Sequence, residues 1–283
     1  MPLLERSQTR CEAFSANIED RSISTHRNKS ASISHSELDD LIFLDTIDST
    51  NMELKRRRQD FRGSNILLVS DEQTAGQGQK GRLWESASGL GLWMSLQLGR
   101  RETLLHDLQR LSLYAGLVMQ EIISNHVPLP ITLKWPNDIM IGHRKCGGIL
   151  TELQWQGEQA TSAIIGIGVN LTHAHEDFPP DLREQATSLA LAGWETPDRQ
   201  VLISSFTHEF FDKIELLDDG PQMARLWNNL AYGAGQLVKW ESDQGMIEGT
   251  FSGINAQGEA RILVRGGEKI FRTGEVGLKY DRS

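Results

Sequence analysis

The sequence predicts an α+β main domain followed by a small all-β domain. Three observations predict this. Apolar strand patterns are interrupted by only two long amphipathic helices, and the order is not the regular alternation of a parallel βαβ fold. Several strands follow one another through short turns, which joins them as antiparallel neighbours. From about Leu237 the texture changes to short strands cut by glycine turns, over about 45 residues.

The elements follow in order. Residues 1–38 are rich in Ser, Arg, His and Asn and show no sustained apolar period, so a polar, disordered tail is expected, with at most a short helix near Cys11. Leu41 to Leu44 read as a strand. Thr50 and Glu53 then fit a capping box opening a helix. "SNILLVSDEQTA" reads as a buried strand, and "GLGLWMSLQL" as another. Leu104, Leu108, Leu111, Ala115, Val118 and Ile122 recur at helical spacing. "ITLKWPNDIMIGHRKCGGILTELQW" reads as three strands joined by turns at Pro136–Asp138 and Gly142–His143, and "TSAIIGIGVNLT" as a further strand. Leu202, Phe206, Phe210, Ile214 and Leu217 mark a second helix face. Asn255 to Gly258 and Gly266–Gly267 are hairpin signals. The expected domains are residues 39–232 and 233–283.

Composition narrows the function classes. A net charge of −9 argues against a chain built to coat nucleic acid. No apolar run approaches the ~20 residues of a membrane span, and the N-terminus is a poor secretory signal. Two cysteines, Cys11 and Cys146, make neither a disulfide framework nor a zinc site, so a cytoplasmic location is expected. Cys146 reads as a small buried hydrophobe.

The stretch "QTAGQGQKGRLW" contains Gly76, Gly78 and Gly81, which spell G-x-G-x-x-G. A dinucleotide site needs a helix to open directly at those glycines, because the pyrophosphate sits on the helix N-terminus. Here an apolar strand follows instead, which excludes that reading. The remaining reading is a polar loop between two strands. Its glycines let backbone N–H groups approach an anion, Lys80 and Arg82 add charge, and Trp84 adds a flat apolar wall. A solvated hairpin with turn glycines is the plain alternative.

This stretch resembles the ligand loop of biotin–protein ligases, usually G-R-G-R-x-G-R followed closely by Trp. Three further motifs resemble that family in the same order: "DSTN" at Asp48 to Asn51, "KWPND" at Lys134 to Asp138 followed by "RKCGGILTEL", and "IGIGVN" at Ile165 to Asn170. The resemblance runs from about Leu41 to the C-terminus. It implies a mixed, mainly antiparallel sheet with helices on one face, as in class II synthetase and biotinyl/lipoyl ligase catalytic domains, plus a C-terminal SH3-like barrel.

The resemblance also implies a chemistry. ATP activates biotin as biotinyl-5′-AMP, and the acyl group passes to a lysine of a biotin carboxyl carrier domain. Lys145 stands in the place of the catalytic lysine, at the carboxylate–phosphate junction, with Arg82 holding phosphate beside it. Ser49, Thr50, Asn51, Gln73, Gly76, Gln77, Gly78, Gln79, Trp84 and Gly148 join Lys145 around biotin. The ureido ring offers two N–H donors and a carbonyl, which hydroxyls, amides and backbone groups match. Lys80, Arg82, Asn137, Asp138 and Asn170 belong to the adenylate side. By itself, Asn137–Asp138 after Pro136 is also ordinary turn chemistry. Mg²⁺ accompanies ATP by family analogy, and no metal ligand is assigned.

Two positions depart from the pattern. Gln77 and Gln79 stand where the family has arginines, so the loop lacks two charges and is expected to hold the adenylate more loosely. The polar N-terminal stretch reads as the ligase-only form, without the DNA-binding domain of the family's repressors. A homodimer through the central sheet is compatible with the family. The competing enzyme is a lipoate or octanoate ligase or transferase of related fold, and a DNA-binding repressor is the competing class.

Overall fold

The computed structural model describes residues 37–99, 108–156, 159–242, 245–274 and 276–278. The expected tail up to residue 36, with Cys11, lies outside the described residues, as does Leu104.

Seven strands build the central sheet: β1 Asp40–Ile47, β2 Ile66–Gln73, β3 Gly91–Leu98, β4 Ile131–Lys134, β5 Asp138–Ile141, β6 Arg144–Gln156 and β7 Gln159–Asn170. Their order is β1-β2-β3-β7-β6-β5-β4. Only β1 and β2 pair in parallel; the other neighbours are antiparallel. The strand β3 after the glycine stretch is the element that excluded the dinucleotide reading.

Period-two alternation sorts the residues of each strand between the two faces. On one face Leu67, Val69, Leu92, Met94, Leu96, Ile165, Ile167 and Val169 join the main core. Helix α2, Leu108–Ser124, packs there with its buried Leu111, Ala115, Val118 and Ile122. Helices α3, Arg199–Asp212, and α4, Gly220–Asn228, complete that layer through Leu202, Phe206, Phe210, Met223 and Trp227. The opposite face carries Trp93, Ser95, Gln97, Gly148, Gly166 and Gly168.

Three expectations change. Helix α1, Thr50–Arg56, covers the opposite face, where Leu54 and Phe61 pack with Ile66, Leu68 and Ile164, so the helices are not confined to one face. The second long helix ends at Asp212, and Ile214–Leu217 is a 3-10 turn that keeps both residues buried. Gly220–Asn228, left without an element by the sequence reading, is a helix whose Asp219 cap accepts from the Gln222 amide at 3.0 Å with Pro221 in its first turn.

The C-terminal strands β8 Leu237–Ser242, β9 Gly245–Ile254, β10 Ala260–Val264, β11 Gly267–Phe271 and β12 Val276–Leu278 form a second sheet in the order β11-β10-β9-β8-β12. The turns fall at the glycine signals. This sheet shares its core with the first: the Trp135 and Trp240 rings lie 5.0 Å apart, and the Trp135 indole N–H donates to the Gly258 carbonyl at 3.0 Å.

Candidate active site

The site lies on the open face of the central sheet. The stretch after β2 folds back on itself as a hairpin. Bridges link Gln73 to Ser86 and Gln77 to Leu83, and Trp84 N–H donates to the Gly76 carbonyl at 2.9 Å. Its tip is the turn Gln79–Gly81, where Lys80 takes φ 56° and Gly81 φ 73°. Gly76 is required by packing, since a Cβ there would stand 2.4 Å from the Trp84 carbonyl oxygen. Trp84 then lies flat on the sheet. A Cβ on Gly168 would come within 2.7 Å of its indole, and one on Gly148 within 3.1 Å. The small residues of β6 and β7 thus make a floor for an aromatic ring.

Next to this floor is a polar socket. Ser49 caps α1 by position, without a side-chain cap bond, and Thr50 is the first helical residue. The expected capping box is not formed, because the Thr50 side chain turns inward. The Thr50 N–H donates to Gln73 Oε1 at 2.8 Å, so an amide from a neighbouring strand satisfies an orphan helix donor. Glu53 is drawn away into ion pairs with Arg56 and Arg57. Gln73 Nε2 donates to Ser86 Oγ at 2.9 Å, and Ser86 Oγ to the Trp84 carbonyl at 3.1 Å. Asn51 Nδ2 donates to Glu152 Oε2 at 2.8 Å.

The charged end of the site comes from β5 and β6. The Lys145 ammonium sits 2.6 Å from Asp138 Oδ1 and 5.0 Å from the centre of the Trp84 ring. Lys145 belongs to β6, and its backbone is pinned on both sides: its N–H donates to Gln185 O at 2.7 Å and its carbonyl accepts from Thr187 N at 2.9 Å. Asn137 braces the same region, donating from Nδ2 to the Ile149 carbonyl at 2.7 Å. Asn170 donates to the Thr187 carbonyl at 3.0 Å.

These parts surround one cleft of ≈ 900 Å³. Ser49, Thr50, Asn51, Gln73, Gln77, Gly78, Gln79, Lys80, Arg82, Trp84, Asn137, Asp138, Lys145, Gly148 and Asn170 all line it. Gly76 does not; it acts by letting the hairpin close.

A sequence profile of the Biotin/lipoate A/B protein ligase family matches residues 43–170. The Bifunctional ligase/repressor BirA of Bacillus spizizenii is 33% identical over 242 residues, covering 84% of this chain and 74% of that protein. The chain belongs to the biotin/lipoate protein ligase family. The Biotin--[acetyl-CoA-carboxylase] ligase of Mycobacterium tuberculosis is 29% identical over 236 residues, covering 81% of this chain and 85% of its own. Among solved structures, the Aquifex aeolicus biotin protein ligase in complex with biotin and ATP superposes with a TM-score of 0.73 at 30% identity, covering 86% of this chain and 99% of the other.

Within this ligase fold, several site residues were missed by sequence reasoning. Ser95 is fully buried in β3 and hydrogen-bonds both Thr50 and Asn51. Its signal was available: a Ser and a Gln alternate through an apolar strand, which marks a face that is not core. Glu152 and Ser86 give no such signal, because their partners are distant in sequence. Tyr232 and Gly274 reach the cleft from the C-terminal part of the ligase. His173, just after β7, is buried, stacks on Phe178 at 5.0 Å and lines the cleft. Burial holds its pKa below the ordinary imidazole value, so the neutral form is favoured. Cys146 is buried as expected, and burial pushes its thiol pKa up, which makes it a poor nucleophile.

No group of three His, Cys, Asp or Glu side chains among the described residues is arranged to hold a metal. No helix among the described residues is long and apolar enough to cross a membrane.

Proposed function

We propose that this protein is a biotin–[acetyl-CoA-carboxylase] ligase. It uses ATP to activate biotin as biotinyl-5′-AMP and transfers the biotinyl group to a lysine of a biotin carboxyl carrier domain. The observation that carries the reading is the pairing, in one cleft, of a neutral polar socket with a lysine ammonium. Thr50, Asn51 and Gln73 offer hydroxyl and amide groups suited to a ureido ring, while Lys145 lies 5.0 Å above the Trp84 ring.

In the first step a biotin carboxylate oxygen attacks the α-phosphorus. An O–P bond forms, the bond to the β-phosphate oxygen breaks, and pyrophosphate leaves with that electron pair. Two anions must meet, so a placed cation supplies the main stabilisation. Lys145 can exchange its contact with Asp138 for the carboxylate and the α-phosphate. Arg82 and Lys80, at the hairpin tip, supply charge for the phosphates. Mg²⁺ bound with ATP would neutralise further phosphate charge, and Asp138 is the carboxylate placed to approach it. Trp84 covers the floor and excludes water, which protects the mixed anhydride from hydrolysis. In the second step the carrier lysine amine attacks the acyl carbon, AMP leaves, and the new amide nitrogen loses a proton.

The described second sheet supports an SH3-like unit over residues 233–283, joined to a catalytic unit over residues 39–232. A dimer through an edge of the central sheet and a cytoplasmic location complete the reading. The test mixes the protein with ATP, Mg²⁺, labelled biotin and a carrier domain. Label on the carrier lysine is the expected result. Lipoate taken up in place of biotin overturns the substrate assignment.

A further inference from the structure

Behind the socket runs an unbroken line of close polar contacts. Lys55 Nζ lies 2.6 Å from Glu152 Oε1, and Asn51 Nδ2 lies 2.8 Å from Glu152 Oε2. Asn51 Oδ1 and Ser95 Oγ are 2.6 Å apart, and so are Ser95 Oγ and Thr50 Oγ1. Thr50 Oγ1 is 3.1 Å from Gln73 Oε1. Thr50, Asn51 and Gln73 face the cleft, whereas Ser95 and Glu152 stand behind them and do not line it.

Proton counting and contact distance together fix the direction of each bond. A carboxylate only accepts, so Asn51 presents its NH₂ to Glu152 and its oxygen to Ser95. A backbone N–H only donates, so Gln73 presents its oxygen to Thr50 and its NH₂ to Ser86. Asn51 Oδ1 carries no proton, so its 2.6 Å contact takes the Ser95 hydroxyl proton. Ser95 has none left, so its 2.6 Å contact with Thr50 takes the Thr50 hydroxyl proton. Thr50 Oγ1 and Gln73 Oε1 are then left with no proton between them. With Thr50 donating to Gln73 instead, the single Ser95 proton serves only one of its two neighbours, leaving Ser95 bare against either Asn51 or Thr50 at 2.6 Å instead of a bare pair at 3.1 Å. Lone-pair repulsion rises steeply with approach, so the first order wins.

We propose that Ser95 and Glu152 are positioning residues that hold Thr50 Oγ1 and Gln73 Oε1 as a proton-free acceptor pair, selecting a ligand that brings an N–H donor. The inference rests on the biotin reading, since a cyclic urea carries such N–H groups. A ligand N–H entering between the two oxygens replaces repulsion with hydrogen bonds. Lys55 neutralises the far end of the line and keeps Glu152 directed at Asn51.

Calorimetric biotin titrations of the full chain, with steady-state kinetics, test this. Ser95→Ala frees the Thr50 hydroxyl to donate to Gln73, which fills the acceptor pair. The biotin Kd is expected to rise roughly tenfold to a hundredfold, with the loss in binding and far less in kcat at saturating biotin. Glu152→Met frees the Asn51 amide to turn and is expected to weaken biotin to a similar degree. Glu152→Gln, which keeps an acceptor for Asn51, is expected to recover most of that loss. The double variant Ser95→Ala/Glu152→Met is expected to be no weaker than the worse single one, although the two side chains share no direct bond. Additive losses, a loss confined to kcat, or no recovery in Glu152→Gln each overturn the inference while leaving the biotin reading intact. Wild-type protein that takes up no biotin overturns that reading and the inference with it. Should Ser95→Ala fail to fold, the comparison of Glu152→Met with Glu152→Gln decides alone.

Discussion

The two faces of the central sheet come from the same strands and have opposite chemistry. In β3, Leu92, Met94, Leu96 and Leu98 point to the core, while Trp93, Ser95 and Gln97 point the other way. In β7, Ile165, Ile167 and Val169 are core, and Gly166, Gly168 and Asn170 are on the site side. One face is filled to exclude space. The other carries a second apolar cluster under α1, and beside it small or polar residues, Ser95, Gln97, Gly148, Gly166 and Gly168, that leave room for a hairpin, a helix start and a cleft. A residue of similar burial therefore has different surroundings on each face: close-packed core on one, the cleft and its hydrogen-bonded wall on the other.

The sharpest test of that division is Lys145→Met at the site. Adenylate formation, followed by pyrophosphate release, is expected to fall by roughly a hundredfold to a thousandfold, with the unfolding midpoint little changed. Leu96→Ala on the core face should do the reverse. It is expected to cost about 2–5 kcal/mol in denaturant unfolding and to leave the biotin Kd nearly unmoved; a large change in Kd with intact stability would break the comparison. Gly166→Ala sharpens it from the site side. Its Cβ would stand 2.3 Å from Asn51 Oδ1, so calorimetry should record biotin binding weaker by about tenfold. Gln79→Arg restores a charge at the hairpin tip. Stopped-flow release of the adenylate is expected to slow by about threefold to tenfold, and an unchanged rate would show that the glutamine is no handicap. The smallest effect concerns His173. Its folded pKa lies below the free value of about 6.5, so above that pH both states are neutral and nothing is lost. As pH falls through that value the unfolded chain takes up a proton that the folded chain resists, and stability declines. The drop in Tm between pH 7.5 and 5.5 should be smaller in His173→Phe than in wild type.

Much of this was legible along the chain, and residue chemistry explains which parts. Strands and long helices declare themselves through periods of two and 3.6, so β2, β3, β7 and α2 fell where the patterns put them. Lys145, Trp84 and Gln73 could be named in advance because they lie inside motifs, and all three line the cleft. The capping box at Thr50 was misread because a local rule cannot register a partner from another strand: Gln73 takes the backbone donor, and the Thr50 hydroxyl lies 2.6 Å from Ser95 Oγ. Gly76 was named through its motif, and the folded hairpin adds a packing reason for it, since a Cβ there would stand 2.4 Å from the Trp84 carbonyl oxygen.

The sequence by itself determined the α+β class, the exclusion of a dinucleotide loop and the set of groups available to the site. Each of these depends on nearest neighbours in the chain, on period and on residue type. Only the tertiary structure decided which face α1 covers, that Asp138 holds Lys145, and that Ser95 and Glu152 stand behind the socket. Those contacts join residues up to 101 positions apart, as Asn51 and Glu152 are. The direction of a hydrogen bond between them depends on which proton has nowhere else to go, and that is known only once every partner is in place.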